Sequence, residues 1–155
     1  GQHIIVAHSF GVLASVHAAA HEQNRIAGAL LVAPADPETF GLASDVPAEP
    51  LPFPAVVVAS TNDPWMPIWK AAEWTDRWGA DFVNLGEAGH INAEAGFGPW
   101  PEGLALLERL RRRSQRSYTR GEHSERRPLS WRQEQSISAG AKGRRSVLGS
   151  RLGAG

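Results

Sequence analysis

The sequence feature that most constrains this chain is a short apolar run that ends in the pattern Ala-x-Ser-x-Gly and leads directly into an alanine-rich segment. The run at residues 4–7 predicts a buried β-strand, and the alanine-rich segment that follows predicts a helix. A serine at such a tight strand-to-helix turn has a strained backbone, so its neighbours two positions away must be small, as Ala7 and Gly11 are. The pattern therefore predicts that the Ser9 hydroxyl is held clear of the sheet.

Two interpretations of this turn are open from the local pattern alone. Ser9 can be an activated nucleophile, with the backbone N–H of Phe10 at a helix N-terminus facing the negative charge that develops on a substrate oxygen. It can also be an ordinary N-cap, because strands in any parallel α/β protein run into small-residue turns. The choice depends on whether the partners of a serine nucleophile occur elsewhere in the chain.

The first 113 residues alternate between apolar, strand-like runs and helical patterns. Further strands are predicted at residues 25–33, 55–60 and 81–85, and helices at residues 13–23, 68–78 and 102–113. A loop with five prolines, residues 35–54, separates the second strand from the third. This order predicts an α/β fold with about four parallel strands, flanking helices and right-handed crossovers.

Charge divides the chain into two parts. Residues 1–110 contain four basic and thirteen acidic residues, a net charge of −9, whereas residues 111–155 contain twelve and three, a net charge of +9. The second part has no apolar periodicity and is rich in Arg, Ser and Gly, which is typical of disorder. We therefore expect a partial α/β domain at residues 1–113 and a disordered basic tail at residues 114–155. The tail has no recognisable nucleic-acid-binding module, so a nucleic-acid partner is not expected.

Composition excludes several classes of protein. The chain has no cysteine, which excludes a disulfide framework, a thiolate metal site and a cysteine nucleophile. It has neither a signal-peptide pattern nor a run of about 18 apolar residues, so we expect a cytoplasmic protein without a membrane anchor. Its histidines lack metal-ligand spacing, and no metal is expected. The sequence does not indicate the oligomeric state.

Two further residues complete a candidate catalytic constellation. A serine at neutral pH needs a base that takes its proton and a third group that orients the base. Asp63 follows the third strand in a turn fixed by Pro64, and His90 lies in a glycine-flanked loop after the fourth strand. Because the carboxyl ends of parallel strands share one edge of the sheet, Ser9, Asp63 and His90 are expected to meet there. The order Ser, Asp, His is that of hydrolases with this architecture.

Two of these assignments have rivals within the chain. Asp36, which follows the second strand, could orient the base in place of Asp63, which would then be a turn-forming residue before proline. His8 is adjacent to Ser9, but neighbouring strand residues point apart. We therefore expect His8 to pack beneath the turn rather than to serve as the base.

The chain resembles the small serine hydrolases of the retinoblastoma-binding-protein-nine family, also called YdeN-like α/β hydrolases, in the segments IIVAHSFG, LLVAPAD, VVVASTNDPW and FVNLGEAGHINAEAGFGPWPEG. The resemblance extends from about residue 2 to about residue 110, and the last segment is its most specific part. It implies a compact α/β-hydrolase fold that hydrolyses small esters or amides without a cofactor. Carried over position by position, Ser9 is the nucleophile, His90 the base and Asp63 the residue that orients it.

The chain departs from that family at both ends. The family has an opening half whose glycine-bearing loop supplies a second oxyanion N–H, and its members end near the helix predicted at residues 102–113. We therefore expect a truncated form in which only the Phe10 N–H serves the oxyanion, and losing one such donor costs about 10² to 10³ in rate. The strand at residues 4–7 is then expected to lie at an uncovered, apolar edge of the sheet.

The expected function is that of a serine hydrolase whose activity is impaired by truncation. The acyl group is expected to lie along residues 35–54 and beside Trp65 and Trp69, although these two tryptophans can equally belong to the core. The alternative function is that of a non-catalytic remnant of the fold that binds a partner.

Overall fold

The computed structural model describes residues 2–22 and 25–119 of the chain, the last two by their backbone alone. Its elements follow one another as β1 (His3–Ser9), α1 (Phe10–Ala19), β2 (Ile26–Pro34), β3 (Ala55–Ala59), α2 (Ile68–Trp78), β4 (Asp81–Asn84) and α3 (Pro101–Thr119), with a short 3₁₀ helix at Ala93–Ala95. The four strands form a parallel sheet in the order β1-β2-β3-β4. The predicted fold class, four parallel strands with flanking helices, is confirmed.

The two central strands are buried on both faces, as their nearly continuous apolar sequences require. On one face, Leu31 and Val57 pack against α1 and α2, which contribute Leu13 and Trp78. On the other face, the alternate strand residues pack against α3 through Leu110 and its neighbours. The sheet is therefore covered by helices on both sides, and the strand ends at the carboxyl edge are left for the loops that follow.

Among the described residues, each of the two outer strands has a neighbouring strand on one side only. β1 pairs with β2 and β4 pairs with β3, both in parallel register. The side chain of Val6 in β1 is 59% exposed, so the expected uncovered, apolar edge is present. No helix within residues 2–22 and 25–119 is long and apolar enough to cross a membrane.

The boundaries of α1 and α3 differ from the sequence prediction, and α1 also ends earlier, at Ala19 rather than near residue 23. α1 begins at Phe10 rather than near residue 13, because the turn at Ser9 leads into the helix without an intervening linker. α3 continues to Thr119, so the prediction that residues 114–119 belong to the tail is wrong, and they are part of this helix.

The extension of α3 has a packing reason that the charge pattern hides. Ser114 is 7% exposed and donates a hydrogen bond to the carbonyl oxygen of Leu110 at 3.0 Å. It lies against Gly28 of β2, where an added Cβ would come within 2.9 Å of its hydroxyl oxygen. A small polar residue thus lies at a close contact between α3 and the sheet, beyond the run of arginines. The disorder predicted for the rest of the tail, residues 120–155, lies outside the described residues.

Candidate active site

Ser9 lies at the turn between β1 and α1, and its backbone is strained. Its φ of 55° and ψ of −125° are a combination that non-glycine residues rarely adopt. Although Ser9 occupies the N-cap position of α1, its side chain makes no capping hydrogen bond. The interpretation of this serine as an ordinary N-cap is therefore wrong.

The steric argument for small neighbours holds at only one of the two positions. Ala7 is buried in the core beneath α1. A Cβ added at Gly11 would meet no atom within 4 Å among the described residues outside its own helix backbone. Among the described residues, crowding thus accounts for a small side chain at position 7 but not for the glycine at position 11.

The structure brings the three predicted side chains together at the carboxyl edge of the sheet. His90 Nε2 lies 2.9 Å from Ser9 Oγ, and His90 Nδ1 lies 3.0 and 3.1 Å from the two carboxylate oxygens of Asp63. A carboxylate only accepts hydrogen bonds, so Nδ1 carries the shared hydrogen and Nε2 can accept the serine proton. The side chains of Asp63 and His90 are only 2% and 12% exposed, which limits competition from water.

Two polar residues that the sequence analysis did not single out anchor the loop that carries the histidine. Asn62 Oδ1 accepts hydrogen bonds from the Gly89 N–H at 2.7 Å and from the Ser60 hydroxyl at 2.8 Å. Ser60 Oγ in turn accepts a hydrogen bond from the Ala88 N–H at 3.0 Å. The available signal was the run of small polar residues just before the candidate acid. This network joins the turn that carries the acid to the loop that carries the base.

The rival carboxylate, Asp36, has other partners. It accepts hydrogen bonds from Lys70 Nζ at 2.8 Å, from Thr39 Oγ1 at 3.1 Å and from the Glu38 N–H at 3.0 Å. Burial alone would raise the pKa of Asp36, but the hydrogen bond from Lys70, followed by those from Glu38 and Thr39, outweighs burial and holds the pKa below its usual value. Asp36 and then Glu38 raise the pKa of Lys70. This ion pair fastens the loop after β2 to α2.

Asp63 also fulfils the turn-forming role that was its alternative interpretation. Its Oδ1 accepts a hydrogen bond from the Trp65 N–H at 2.9 Å, which closes a turn directly after β3. The turn fixes the carboxylate while both of its oxygens stay within reach of the histidine. The structural and the candidate catalytic roles of Asp63 are therefore compatible.

Exposed aromatic side chains follow the carboxyl ends of β1, β2 and β3 in the chain. Phe10 is 49% exposed and contacts Phe40 edge to face, with ring centroids 5.4 Å apart. Trp65 and Trp69 are 59% and 64% exposed, so the interpretation of these two as core residues is wrong. The backbone N–H of Phe10 belongs to the first turn of α1, whose N–H groups have no partner within the helix and can therefore donate hydrogen bonds to an anion.

The prediction that His8 packs beneath the turn is wrong. His8 is exposed and contacts the candidate base. Its Nε2 lies 2.8 Å from the backbone carbonyl oxygen of His90, and the two rings meet edge to face at 4.8 Å. Among the described residues, no group of three or more histidine or carboxylate side chains is arranged to hold a metal ion.

The parallel sheet and the strained serine at its strand-to-helix turn define the chain as an α/β hydrolase fold. A family model described as "Serine hydrolase" matches residues 1–109, and the chain belongs to that family. This agrees with the family recognised from the sequence motifs. No curated protein sequence matches the chain significantly.

Solved structures give the same fold. A protein described as a YdeN-like hydrolase from Pectobacterium atrosepticum is 46% identical, with a TM-score of 0.69 over 72% of this chain and 60% of that one. The ydeN gene product of B. subtilis is 20% identical, with a TM-score of 0.56 over 69% and 64%. The esterase domain of a Rhodothermus marinus protein is 17% identical, with a TM-score of 0.55 over 70% and 60%. The last two show the fold alone, and this chain spans between 60% and 64% of the length of these three proteins.

Proposed function

We propose that this chain is a serine hydrolase that acts on small esters or amides through Ser9, His90 and Asp63. The observation that carries the proposal is the continuous line of hydrogen bonds from the serine hydroxyl through the imidazole to the carboxylate. Membership of the serine hydrolase family supports the class of reaction. The exposed aromatic rings at the same edge support an acyl group with some apolar surface.

In the first half of the proposed reaction, Ser9 Oγ forms a bond to the substrate carbonyl carbon while its proton passes to His90 Nε2. Asp63 accepts the hydrogen bond from His90 Nδ1 and stabilises the imidazolium that results. The carbonyl oxygen becomes an oxyanion, which the Phe10 N–H stabilises at the N-terminus of α1. The tetrahedral intermediate then collapses, and the leaving group departs with the proton from His90.

In the second half, water replaces the leaving group. The oxygen of the water bonds to the acyl carbon while His90 Nε2 takes a proton from the water. His90 returns that proton to Ser9 Oγ when the carboxylic acid leaves. Within the described residues we assign one oxyanion donor, Phe10.

Pre-steady-state hydrolysis of p-nitrophenyl acetate tests this proposal. The chain is expected to release a burst of p-nitrophenolate equal to the enzyme concentration and then to turn over slowly, because an acyl-serine accumulates. Ser9→Ala is expected to abolish the burst. Ser44→Ala, which changes an exposed serine of the loop after β2, is the matched control and should retain it. A burst that survives in folded Ser9→Ala would refute Ser9 as the nucleophile.

The uncovered edge of β1 favours one alternative, a non-catalytic remnant of the fold that binds a partner. Its support is the exposed Val6 beside a strand edge that is unpaired among the described residues, a surface that can accept another strand. A folded chain that shows no burst would favour this alternative. The cytoplasmic location and the absence of a nucleic-acid partner stay predictions.

A further inference from the structure

His8 makes a hydrogen bond that links the end of β1 to the main chain of the candidate base. The atoms joined are His8 Nε2 and the backbone carbonyl oxygen of His90, 2.8 Å apart and 82 residues apart in the chain. A carbonyl oxygen only accepts, so His8 Nε2 carries the hydrogen and donates it. His8, which precedes the candidate nucleophile Ser9, therefore anchors the backbone of His90, the candidate base.

The peptide group that accepts this bond adjoins a strained residue. Ile91 has a φ of 48°, and a β-branched residue at positive φ is a genuine outlier that persists only where its surroundings impose it. The Ile91 side chain is 5% exposed and packs in the core cluster beneath α3. The Ile91 N–H donates to the Ala88 carbonyl oxygen at 3.1 Å. Both polar atoms of the peptide group between residues 90 and 91 are thus hydrogen-bonded, one of them by His8.

The two sides of His90 are anchored by different residues. On the N-terminal side, Asn62 accepts a hydrogen bond from the Gly89 N–H at 2.7 Å. On the C-terminal side, among the described residues, His8 supplies the side-chain hydrogen bond to the carbonyl oxygen of His90. Without His8, the peptide group next to the strained Ile91 would lose one of its two hydrogen bonds and could rotate. The direction of the Cα–Cβ bond of His90 would change with it.

We propose that His8 is a positioning residue that fixes the main chain of His90, so that Nε2 stays on Ser9 Oγ. The inference rests on the proposed hydrolase function. His8 and Ser9 are consecutive residues of β1, so the nucleophile and the anchor of the base move together. A displacement of about 1 Å at a reacting group costs about 10²-fold in rate, and the 2.9 Å contact between Ser9 and His90 leaves little tolerance.

Three substitutions at position 8 separate the hydrogen bond from the ring contact. His8→Ala removes both, and His8→Phe keeps an aromatic ring but has no donor. His8→Gln places an amide donor near the position of Nε2. With p-nitrophenyl acetate we expect kcat to fall about 10-fold to 10²-fold in the Ala and Phe variants, with KM nearly unchanged, and to recover largely in the Gln variant.

The matched control is His17 of α1, which makes the same type of bond away from the triad. Its Nδ1 lies 3.0 Å from the Asp45 carbonyl oxygen. His17→Ala is expected to leave kcat unchanged. If His8→Gln is as impaired as His8→Ala, or if His8→Phe is fully active, the positioning role is refuted.

A spectroscopic measurement tests the inference without turnover. The His90 Nδ1 proton, shared with Asp63, should give a downfield proton resonance in the wild-type chain and in the Gln and His17→Ala variants. It should broaden or vanish in the His8→Ala and His8→Phe variants. An unchanged resonance in His8→Ala would overturn the inference. If the resonance is lost in His8→Ala but the wild-type chain releases no burst of p-nitrophenolate, His8 positions His90 and the proposed hydrolase function is refuted instead.

Discussion

Two carboxylates at the same edge of the sheet have different partners. Asp36 follows β2 and binds Lys70, whereas Asp63 follows β3 and binds His90. Both side chains are nearly buried, at 7% and 2% exposed, and both also close local turns. The ammonium of Lys70 stays charged at neutral pH and can only hold a loop, whereas an imidazole can take and return a proton. Both carboxylates follow a strand of the same sheet, so their position does not distinguish them. The side chain that each one binds decides whether it anchors a loop or is a candidate catalytic group.

The largest expected effect comes from replacing the carboxylate that orients the histidine. Asp63→Asn keeps the shape of the side chain but favours the wrong imidazole tautomer, and a loss of about 10⁴-fold in kcat is expected. Asp36→Asn should change kcat by less than about tenfold, because Asp36 does not bind His90. Steady-state hydrolysis of p-nitrophenyl acetate measures both. Equal losses in the two variants would remove the distinction between the two carboxylates.

Removal of the lysine should have its main effect on stability. Lys70→Met leaves Asp36 nearly buried without its cation, and a loss of about 3 kcal/mol in the free energy of unfolding is expected. Arg111→Met is the matched control, because it breaks an exposed pair with Glu108 and should cost less than about 1 kcal/mol. Urea unfolding of the three chains gives the comparison. A loss in Lys70→Met no larger than that in the control would show that the buried pair does not stabilise the fold.

The same pair predicts a pH dependence of stability. The pKa of Asp36 is lowered in the folded chain, so its contribution is complete above the unfolded value of 3.8 and is lost as the pH falls through the lower, folded pKa. The pKa of Lys70 is raised, so its contribution is complete below 10.5 and is lost as the pH rises through the higher, folded pKa. Urea unfolding over a pH series should therefore show that Asp36→Asn flattens the acid limb. An acid limb identical to that of the wild type would contradict this role of Asp36.

The smallest effects should come from the neutral hydrogen bonds that support each carboxylate region. Thr39→Val removes one donor to Asp36 and should lower the free energy of unfolding by about 1 kcal/mol without changing kcat. Asn62→Ala removes the acceptor for Gly89 and should lower kcat as well, because the loop with His90 loses an anchor. Unfolding and p-nitrophenyl acetate kinetics on both variants separate the two outcomes. A kcat that falls in Thr39→Val and not in Asn62→Ala would reverse the assignment of the two regions.

Sequence patterns predicted the sheet and the convergence of three side chains because both follow from local rules. Apolar periodicity marks strands and helices, and the carboxyl ends of parallel strands share an edge. The contacts of His8 and Asn62 were not predicted, because hydrogen bonds between residues 82 and 27 positions apart leave no periodic trace. The end of α3 was also missed. In this extension Ser114 packs closely against Gly28 of β2. The arginines after residue 110 favour a solvated tail and therefore conceal this contact in the sequence.

The central claim is that Ser9, His90 and Asp63 act as one unit. Its most direct test is the rate at which a fluorophosphonate labels the chain, with the adduct located by mass spectrometry. The account predicts an adduct on Ser9 in the wild type and in folded Asp36→Asn, and labelling at least about 10²-fold slower in folded Asp63→Asn. Labelling that survives in Asp63→Asn and is lost in folded Asp36→Asn, or an adduct on a residue other than Ser9, would contradict it.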